Sequence, residues 1–588
     1  MSRVTWTAPF VGYTAPMMRT TWIGLMMVIM GAVGCGDGST SGGSDGGMDG
    51  DVDVDAALPD AGDPTAALFA MDHLIDIDIE MDAADWDDLR TQTRSLFGLL
   101  EGDCLAEPFP SPFTFFPATV MVDGTELSEV GVRKKGFLGS LNEVRPSLKI
   151  KFDEYVADQE YLGLSRLTLN NSQQDPSFAR QCLAYQLFTE AGVPASRCNF
   201  ARVTVNGDEL GLYVHVESVD KKFLARHYAD EDGNLYEGTL SDFRDGWTGT
   251  FDKKTNEDNL DRSDLEDVTS AAEAGDASLA QSIEGVMDLD QFYTFWATET
   301  MISHWDGYAG NTNNFFVYND PTTGLFQFMP WGVDGTFGNA ADPAVFARGL
   351  LANRLYLYGP TQDDYLARMR TLVEDLWDTG RLIDSVDQME AVIQEVTDQA
   401  EPALDGLRQY VLDRGDSILD QLDAGDPVWT EPLRDDPCFE VIGDISGTFV
   451  TTWGTNGNPD PFSTGSGTLS ITVGATVPNI VLVGANSGLN MPTDGSPPRA
   501  VVQVVGLLDD GNVAVAYMEM DPSAVTPGTV PLDFASGIGV LFLFTPATGS
   551  FVPVGLFGAG DLVFDMAGTT ATDPVEGSFS ADLLAWPF

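Results

Sequence analysis

Between His304 and Gly338 the chain reads H-W-D-G-Y-A-G-N-T-N-N, then F-F-V-Y, the turn N-D-P-T-T-G, and L-F-Q-F-M-P-W-G-V-D-G-T-F-G. Two short β-prone runs, Phe315–Tyr318 and Leu325–Met329, flank a turn rich in Pro, Thr and Gly, so they read as a hairpin. The chain is thereby committed to a polar loop, a strand, a reversal, and a second strand that ends in Asp334 beside Gly335. A helical stretch leads into that loop, Asp288–His304, with Phe292, Phe295, Trp296 and Met301 on one side.

Upstream, Leu74–Met81 alternates apolar and acidic residues as a half-buried strand does, and Ala83–Arg94 follows as a helix with Trp86 and Leu89 inward. Val120–Val122, a D-G turn and Val130–Val132 read as strand and hairpin. Ser147–Phe152 alternates strictly, so Ser147, Lys149 and Lys151 share one face and Leu148, Ile150 and Phe152 the other. Asp175–Ala191 reads as a helix opened by D-P-S and closed by A-G. Phe200–Val205 and Gly211–Val216 form a second hairpin, and Ala344–Leu422 is mostly helical by its apolar spacing. After Asp426 the texture turns to Gly, Thr, Val, Pro and Asn with short apolar runs, the pattern of a separate all-β, sandwich-like domain. The expectation is an α+β domain over 66–425 and a β-sandwich-like domain over 436–588.

The 588 residues carry 90 acidic and 30 basic side chains, a net charge of −60. Such a chain repels nucleic acid and anionic lipid, so neither is an expected partner. The N-terminal segment reads as an address when translation starts near Met17. A basic Arg19 precedes the apolar run Trp22–Val33, too short for a membrane span, and A-V-G-C places small residues before Cys35. The position resembles a bacterial lipobox, so residues 1–35 read as a signal with Cys35 lipidated, and 36–65, built of Gly, Ser and Asp, as a tether. The expected location is outside a bacterial membrane, held to the outer membrane or cell surface by lipid alone. Export permits disulfides, and Cys104, Cys182, Cys198 and Cys438 allow three pairings. Cys182–Cys198 is the preferred local bridge, leaving Cys104 to Cys438.

A His, an Asp two residues on, amides before a strand, and an Asp at the end of the next strand are the parts that phosphoryl transfer requires. One carboxylate aligns an acceptor hydroxyl and takes its proton, while an amide and a second carboxylate hold metal on the triphosphate. His304, Asp306 and Asn311 keep the H-x-D-x-x-x-x-N spacing of a kinase catalytic loop. Asp306 is the candidate catalytic residue; Asn311 and Asn314 are both candidate metal ligands, with Asn314 adjoining the strand; Asp334 is the second metal ligand. Six of the 30 basic residues, Arg133, Lys134, Lys135, Arg145, Lys149 and Lys151, crowd one short stretch. Lys149 and Lys151, with Arg133 and Lys135 ahead of Gly136, are the candidates for the phosphates of ATP, and Glu217 for pairing a lysine or holding metal. A glycine-rich phosphate loop is missing, so side chains must do that work.

Taken in order, V-G-V-R-K-K-G-F at 130–137, R-P-S-L-K-I-K-F at 145–152, L-T-L-N-N at 167–171, A-G-V-P at 191–194, V-N-G-D-E-L-G-L-Y-V-H-V-E at 205–217, N-N-F-F-V-Y at 313–318 and P-W-G-V-D-G-T-F-G at 330–338 resemble the spore-coat CotH family of secreted atypical kinases. The resemblance spans roughly residues 70–420. It implies a two-lobed, protein-kinase-like fold, ATP with Mg²⁺ or Mn²⁺, and transfer to Ser or Thr hydroxyls of surface proteins. Family members often carry W-D-x-D where this chain has Trp331-Gly332-Val333-Asp334, so one carboxylate is replaced by Gly332. That replacement leaves a second reading open, a pseudokinase or a structural binding protein at the cell surface.

Overall fold

The computed structural model describes residues 63–94, 99–100, 102–458, 460–491, 498–533 and 536–585. The expected signal, Cys35 and nearly all of the tether lie outside them. No helix among the described residues is long and apolar enough to cross a membrane. The chain forms two compact units, one made of 50–94 with 105–436, the other containing 95–104 with 437–588.

The first unit begins with a closed barrel. Its strands are β1 (Leu74–Met81), β2 (Phe116–Val122), β3 (Thr125–Lys135), β4 (Ser147–Lys151), β5 (Arg166–Asn170), β6 (Cys198–Val205) and β7 (Asp208–Val216), in the order β1-β2-β3-β4-β5-β7-β6. Closure comes from parallel pairing of β1 with β6, Leu74 opposite Phe200 through Ile79 opposite Val205. Alternation puts Ile75, Ile77, Val120, Val132, Leu148, Ile150 and Leu169 inside, each at most 1% exposed. The opposite face of β3 and β4 then carries Arg133, Lys135, Lys149 and Lys151, as the pattern requires.

Helix α1 (Ala83–Thr91) lies between β1 and β2, and α2 (Arg180–Glu190) between β5 and β6. Helix α2 starts five residues later than D-P-S suggests. Asp175 instead caps a preceding turn, accepting from Ser177 N and Arg180 N, because a side-chain oxygen offers those amides a partner without helical geometry. After α3 (Lys221–His227) comes a four-stranded sheet, β11-β10-β8-β9, with β8 (Asn234–Gly238), β9 (Asp252–Lys253), β10 (Phe315–Asp320) and β11 (Leu325–Pro330). Helices α4 (Ser263–Ala272), α5 (Leu279–Glu284), α6 (Leu289–Met301) and the short α7 (Tyr308–Asn311) separate β9 from β10. Helices α8 (Leu350–Leu357), α9 (Gly359–Leu376), α10 (Thr379–Ile393) and α11 (Glu401–Asp423) complete the core. Trp296 of α6 stacks on Tyr365 of α9 with ring centroids 3.9 Å apart.

The connecting segment 426–436 belongs to this first unit rather than lying outside it. Tyr356 Oη donates to Pro427 O, and Arg434 N to Arg348 O.

The second unit holds β12 (Val441–Thr452) to β20 (Pro574–Ala585) in one nine-stranded sheet, not two packed sheets. The sheet curls until Trp453, just past β12, bridges Ser487 of β14 (Ile480–Asn490), and Phe449, Val502, Met518, Phe557 and Phe579 share its core. Two-sidedness thus comes from curvature, which strand-length apolar runs do not encode. Residues 99–104 join this unit because Cys104 is bonded to Cys438, 334 positions away, and Phe439 N donates to Leu100 O.

The other bridge, Cys182–Cys198, ties the first turn of α2 to the start of β6 across 16 positions. Closing a loop of that length in the unfolded chain is worth about 3 kcal/mol. A Cys182→Ala/Cys198→Ala variant is therefore expected to lose about that much unfolding free energy in guanidinium titrations run under oxidising conditions. An unchanged midpoint would show that the bridge contributes nothing.

Candidate functional site

Helix α6 buries eleven of its residues with one acid among them, Glu299, which has no exposure. A buried carboxylate needs donors, and Glu299 takes Tyr308 N at 2.9 Å and Ala309 N at 3.0 Å, the first two amides of α7. His304 Nδ1 lies 3.5 Å from the same carboxylate. The loop after α6 therefore doubles back on the helix that precedes it. Gly307 passes so close that a Cβ there would overlap Glu299 Oε1.

This reversal presents Asp306, which three amides clamp. Asn311 Nδ2 donates to Oδ1 at 2.7 Å, Asn313 Nδ2 to Oδ1 at 3.2 Å, and Asn314 Nδ2 to Oδ2 at 2.8 Å. Burial raises the Asp306 pKa, and the bonds from Asn311 and Asn313 oppose that rise.

The two candidate amide ligands part here. Asn311 Oδ1 accepts from Arg434 Nε at 2.6 Å. With its oxygen engaged by a guanidinium and its nitrogen by Asp306, Asn311 orients that carboxylate. Asn314 Oδ1 accepts no hydrogen bond among the described residues and lies against Gly332. Gly332 adopts φ +53° ahead of the turn Val333–Gly335 that carries Asp334. Burial pushes Asp334 up to about 6, against the pull of Lys135, with Asp175 and Asp306 adding to the rise. Asp306 and Asp334 thus act on each other across one site, with an oxygen of Asn314 beside Asp334's turn.

Lys135 closes the other side. Its Nζ donates to Asn170 Oδ1 at 2.5 Å and lies 5.9 Å from the Trp331 ring centre. Burial lowers it to about 8, while Asp334 and Glu237 pull it upward. Lys149 makes no hydrogen bond or ion pair among the described residues and stands directly opposite Arg133 in the β3–β4 ladder. Burial, with Arg166 and Arg133 adding to it, brings Lys149 down to about 7. Two like charges facing each other across a ladder destabilise it unless an anion comes between them.

Two other candidates are occupied elsewhere. Lys151 pairs with Glu154 at 2.8 Å, so its charge is already neutralised. Glu217 is bound by Arg197 at 2.7 Å and by Arg226, and both carboxylate oxygens are taken. It belongs to a buried ion cluster and not to the lysines. The carboxylate that does act on the lysines is Glu237 of β8, paired with Lys254 at 2.7 Å. Burial works against its ionisation, yet Lys254, Lys149 and Lys135 hold its pKa below the ordinary carboxylate value. Its segment shows no clear strand alternation; only its pairing opposite Phe316 places it here. Glu299 did leave a signal, an acid inside an apolar helical run.

Gly332 is part of this architecture. Any Cβ at that position would overlap Asn314 Oδ1, and positive φ adds strain for a non-glycine residue. Gly332→Ala should cost about 1–3 kcal/mol of stability, read from the chemical-denaturation midpoint; a neutral change would mean that Asn314 is not held here.

The CotH family model, described as CotH kinase protein, matches residues 132–411. The chain is 29% identical over 199 residues to inner spore coat protein H of Bacillus subtilis, covering 31% of this chain and 53% of that protein. It is 23% identical over 254 residues to invasin CotH7 of Rhizopus delemar, covering 39% and 42%. The chain thus spans about half the length of the curated relatives it matches. Among solved structures, the Helicobacter pylori proinflammatory kinase CtkA overlaps 50% of this chain and 96% of its own at 9% identity, with a TM-score of 0.26, too loose to bear on the argument. Asp306, Asn314, Asp334, Lys135 and Lys149 all fall inside the matched stretch, over which the chain is similar to the CotH kinase-protein family.

Proposed function

We propose that this chain is a metal-dependent kinase that moves the γ-phosphoryl group of ATP to Ser or Thr hydroxyls of proteins outside a bacterial membrane. One observation carries the proposal. A carboxylate clamped by three amides, Asp306, shares a site with Asp334, the free oxygen of Asn314 and an incompletely neutralised lysine pair. The match to the CotH kinase-protein model supports the same reading. Location outside the cell rests on the lipobox-like Cys35 and accords with two disulfides.

In this scheme Lys135 and Lys149 bind phosphate oxygens, with Arg133 beside them. Hard oxygen donors such as Asp334 and Asn314 suit Mg²⁺ or Mn²⁺, which would neutralise charge on the triphosphate. Asp306 orients the acceptor hydroxyl. As its oxygen bonds to the γ-phosphorus, the bond from phosphorus to the β,γ-bridging oxygen breaks, ADP leaves, and the hydroxyl proton passes to the Asp306 carboxylate. The amide clamp fixes that carboxylate before substrate arrives, so little reorganisation is left for the transition state. Gly332 bears on the rival reading of a decayed kinase. Its left-handed backbone and its contact with Asn314 are features of a site built around glycine.

Incubation with labelled ATP and Mn²⁺ tests the assignment. Asp306→Asn should lower transfer by about 10²-fold or more while retaining nucleotide, whereas Asp334→Asn should weaken metal-dependent nucleotide binding as well. Equal labelling by wild type and both variants would remove the assignment; nucleotide binding without transfer by wild type would leave a pseudokinase.

The charges also set a pH window. Lys149, at about 7, and Lys135, at about 8, lose their protons as pH rises, so nucleotide affinity should fall on the alkaline side. Asp334, at about 6, gains a proton below that value and gives up its metal, so affinity should fall on the acid side too. Calorimetric titration of Mn²⁺–ATP from acid to alkaline pH should show this maximum, and Lys149→Arg should move the alkaline limb upward; a flat profile would contradict the lysine roles.

A further inference from the structure

Ahead of β2 the chain crosses the basic strand face as a strap. The carbonyls of Leu105 and Ala106 press on Gly249, between β8 and β9, so closely that a Cβ there would overlap them. Further on, the Phe109 ring meets Phe137 edge-on at 5.9 Å, and the Arg94 guanidinium lies 5.5 Å from the Phe113 ring centre. Thr114 N donates to Gln92 Oε1 at 3.1 Å. Phe115 then takes the Arg133 guanidinium over its ring at 5.3 Å. The strap thus runs from the sheet that carries Glu237 to the face of β3 and β4 that carries the candidate phosphate ligands.

Midway along it stands Ser111, exposed, between Pro110 and Pro112. Proline has no N–H to give to a ladder, and a residue before proline is kept extended. Ser111 is therefore displayed on open backbone that no sheet absorbs. Its Oγ accepts from Arg133 Nη1 at 3.2 Å. Arg133 has no ion pair among the described residues, and Lys149, opposite it in the ladder, has none either. A hydroxyl oxygen offsets little of that charge. A phosphate on the same oxygen would bring about −1.5 to −2 charges and three acceptor oxygens to these cations, and a guanidinium suits phosphate in bidentate contact.

Arg133 and Lys135 share one face of β3, so Ser111 stands on the phosphate side of its own site. An acceptor in line with the leaving ADP does not stand there, and the donor is accordingly a second copy of the chain. We propose that Ser111 is a phosphorylation site, modified by a second copy of this protein, and that its phosphate settles on Arg133 and Lys149 and shuts nucleotide out. In the transfer Ser111 Oγ bonds to the γ-phosphorus of ATP held by the other copy. The bond to the β,γ-bridging oxygen breaks, ADP leaves, and the hydroxyl proton passes to that copy's Asp306 carboxylate. Each modified molecule is thereby silenced, which makes the activity self-limiting. The source of the phosphoryl group rests on the kinase reading; the cations that receive it stand on their own geometry.

Two experiments on the full chain separate source from contact. In the first, the Asp306→Asn chain serves as acceptor for wild type and labelled ATP, with casein as acceptor in a parallel reaction. Peptide mapping should place label on Ser111 of the Asp306→Asn chain, and a Ser111→Ala/Asp306→Asn acceptor should lose it. Label on casein with none on Ser111 overturns the site and leaves the kinase standing; label on neither removes the kinase and this source together. In the second, phosphoserine is installed at 111 during translation, which needs no kinase activity. It should raise the thermal midpoint of the ligand-free chain, and Arg133→Gln should abolish the rise. An unchanged midpoint, or a rise that survives Arg133→Gln, overturns the contact. Calorimetric titration with Mn²⁺–ATP should show affinity about tenfold or more weaker for the phosphoserine chain, the worth of one charge-assisted bond. Equal affinity overturns the closure.

Discussion

The buried carboxylate of Glu299 is the contact on which the site depends. Taken out of water, it has to find donors inside the protein, and the amides of Tyr308 and Ala309 are where it finds them. Satisfying it bends the segment after α6 back on itself, requires glycine at 307, and leaves Asp306 at the tip of the reversal. A second buried charge works from the other side. Arg414, with no exposure, donates to the carbonyls of Thr300 and Met301 at the end of α6 and to Ala340, Asp342 and Pro343. It fastens α11 to the helix that positions the loop and fixes the path toward Arg348. Both ions are paired with backbone groups, which places chain segments more rigidly than flexible side-chain partners would.

Around this frame the site holds charges that repel one another. Arg133 faces Lys149, and Asp334 feels both Asp306 and Asp175. Burial moves the lysines and Asp334 toward their neutral forms, which relieves the repulsion in the free protein. On the proposed reading, a triphosphate with its cation would supply the missing opposite charges and return each group to its ionised form. Binding and protonation would then be coupled, and the repulsion held in the free site would favour such a ligand. The neutralised members of the same basic stretch show the contrast. Lys151 has Glu154, and Lys134 donates to Arg90 O and Gln92 O, so neither carries this tension.

Much of the architecture was legible. Strict alternation marked β1 and β4 nearly to the residue, and the D-G and N-G turns marked two hairpins, since period-two patterns and turn chemistry are local. Asp306, Asn314 and Asp334 could be singled out because they flank a recognisable hairpin. The start of α2 was misplaced because Asp175 caps a turn with chemistry that also caps helices. Glu237 was missed because its strand carries no alternation, whereas Lys151 meets Glu154 three residues on and Glu217 meets Arg197 and Arg226, pairings that strand alternation does not reveal. Even the split between Asn311 and Asn314 turned on one guanidinium, contributed by Arg434 more than a hundred residues away.

By itself, then, the order of residues determined which side chains stand on one strand face, which loop precedes which strand, and that a basic stretch sits in an acidic chain. Those properties depend on neighbours a few positions apart, where backbone geometry leaves little choice. Only the tertiary structure decided which charges remain unpaired. Pairing is a matter of distance in space and of water excluded, and a lysine on this face is left unpaired, as Lys149 is, or held in an ion pair, as Lys151 is, according to whether a carboxylate reaches it.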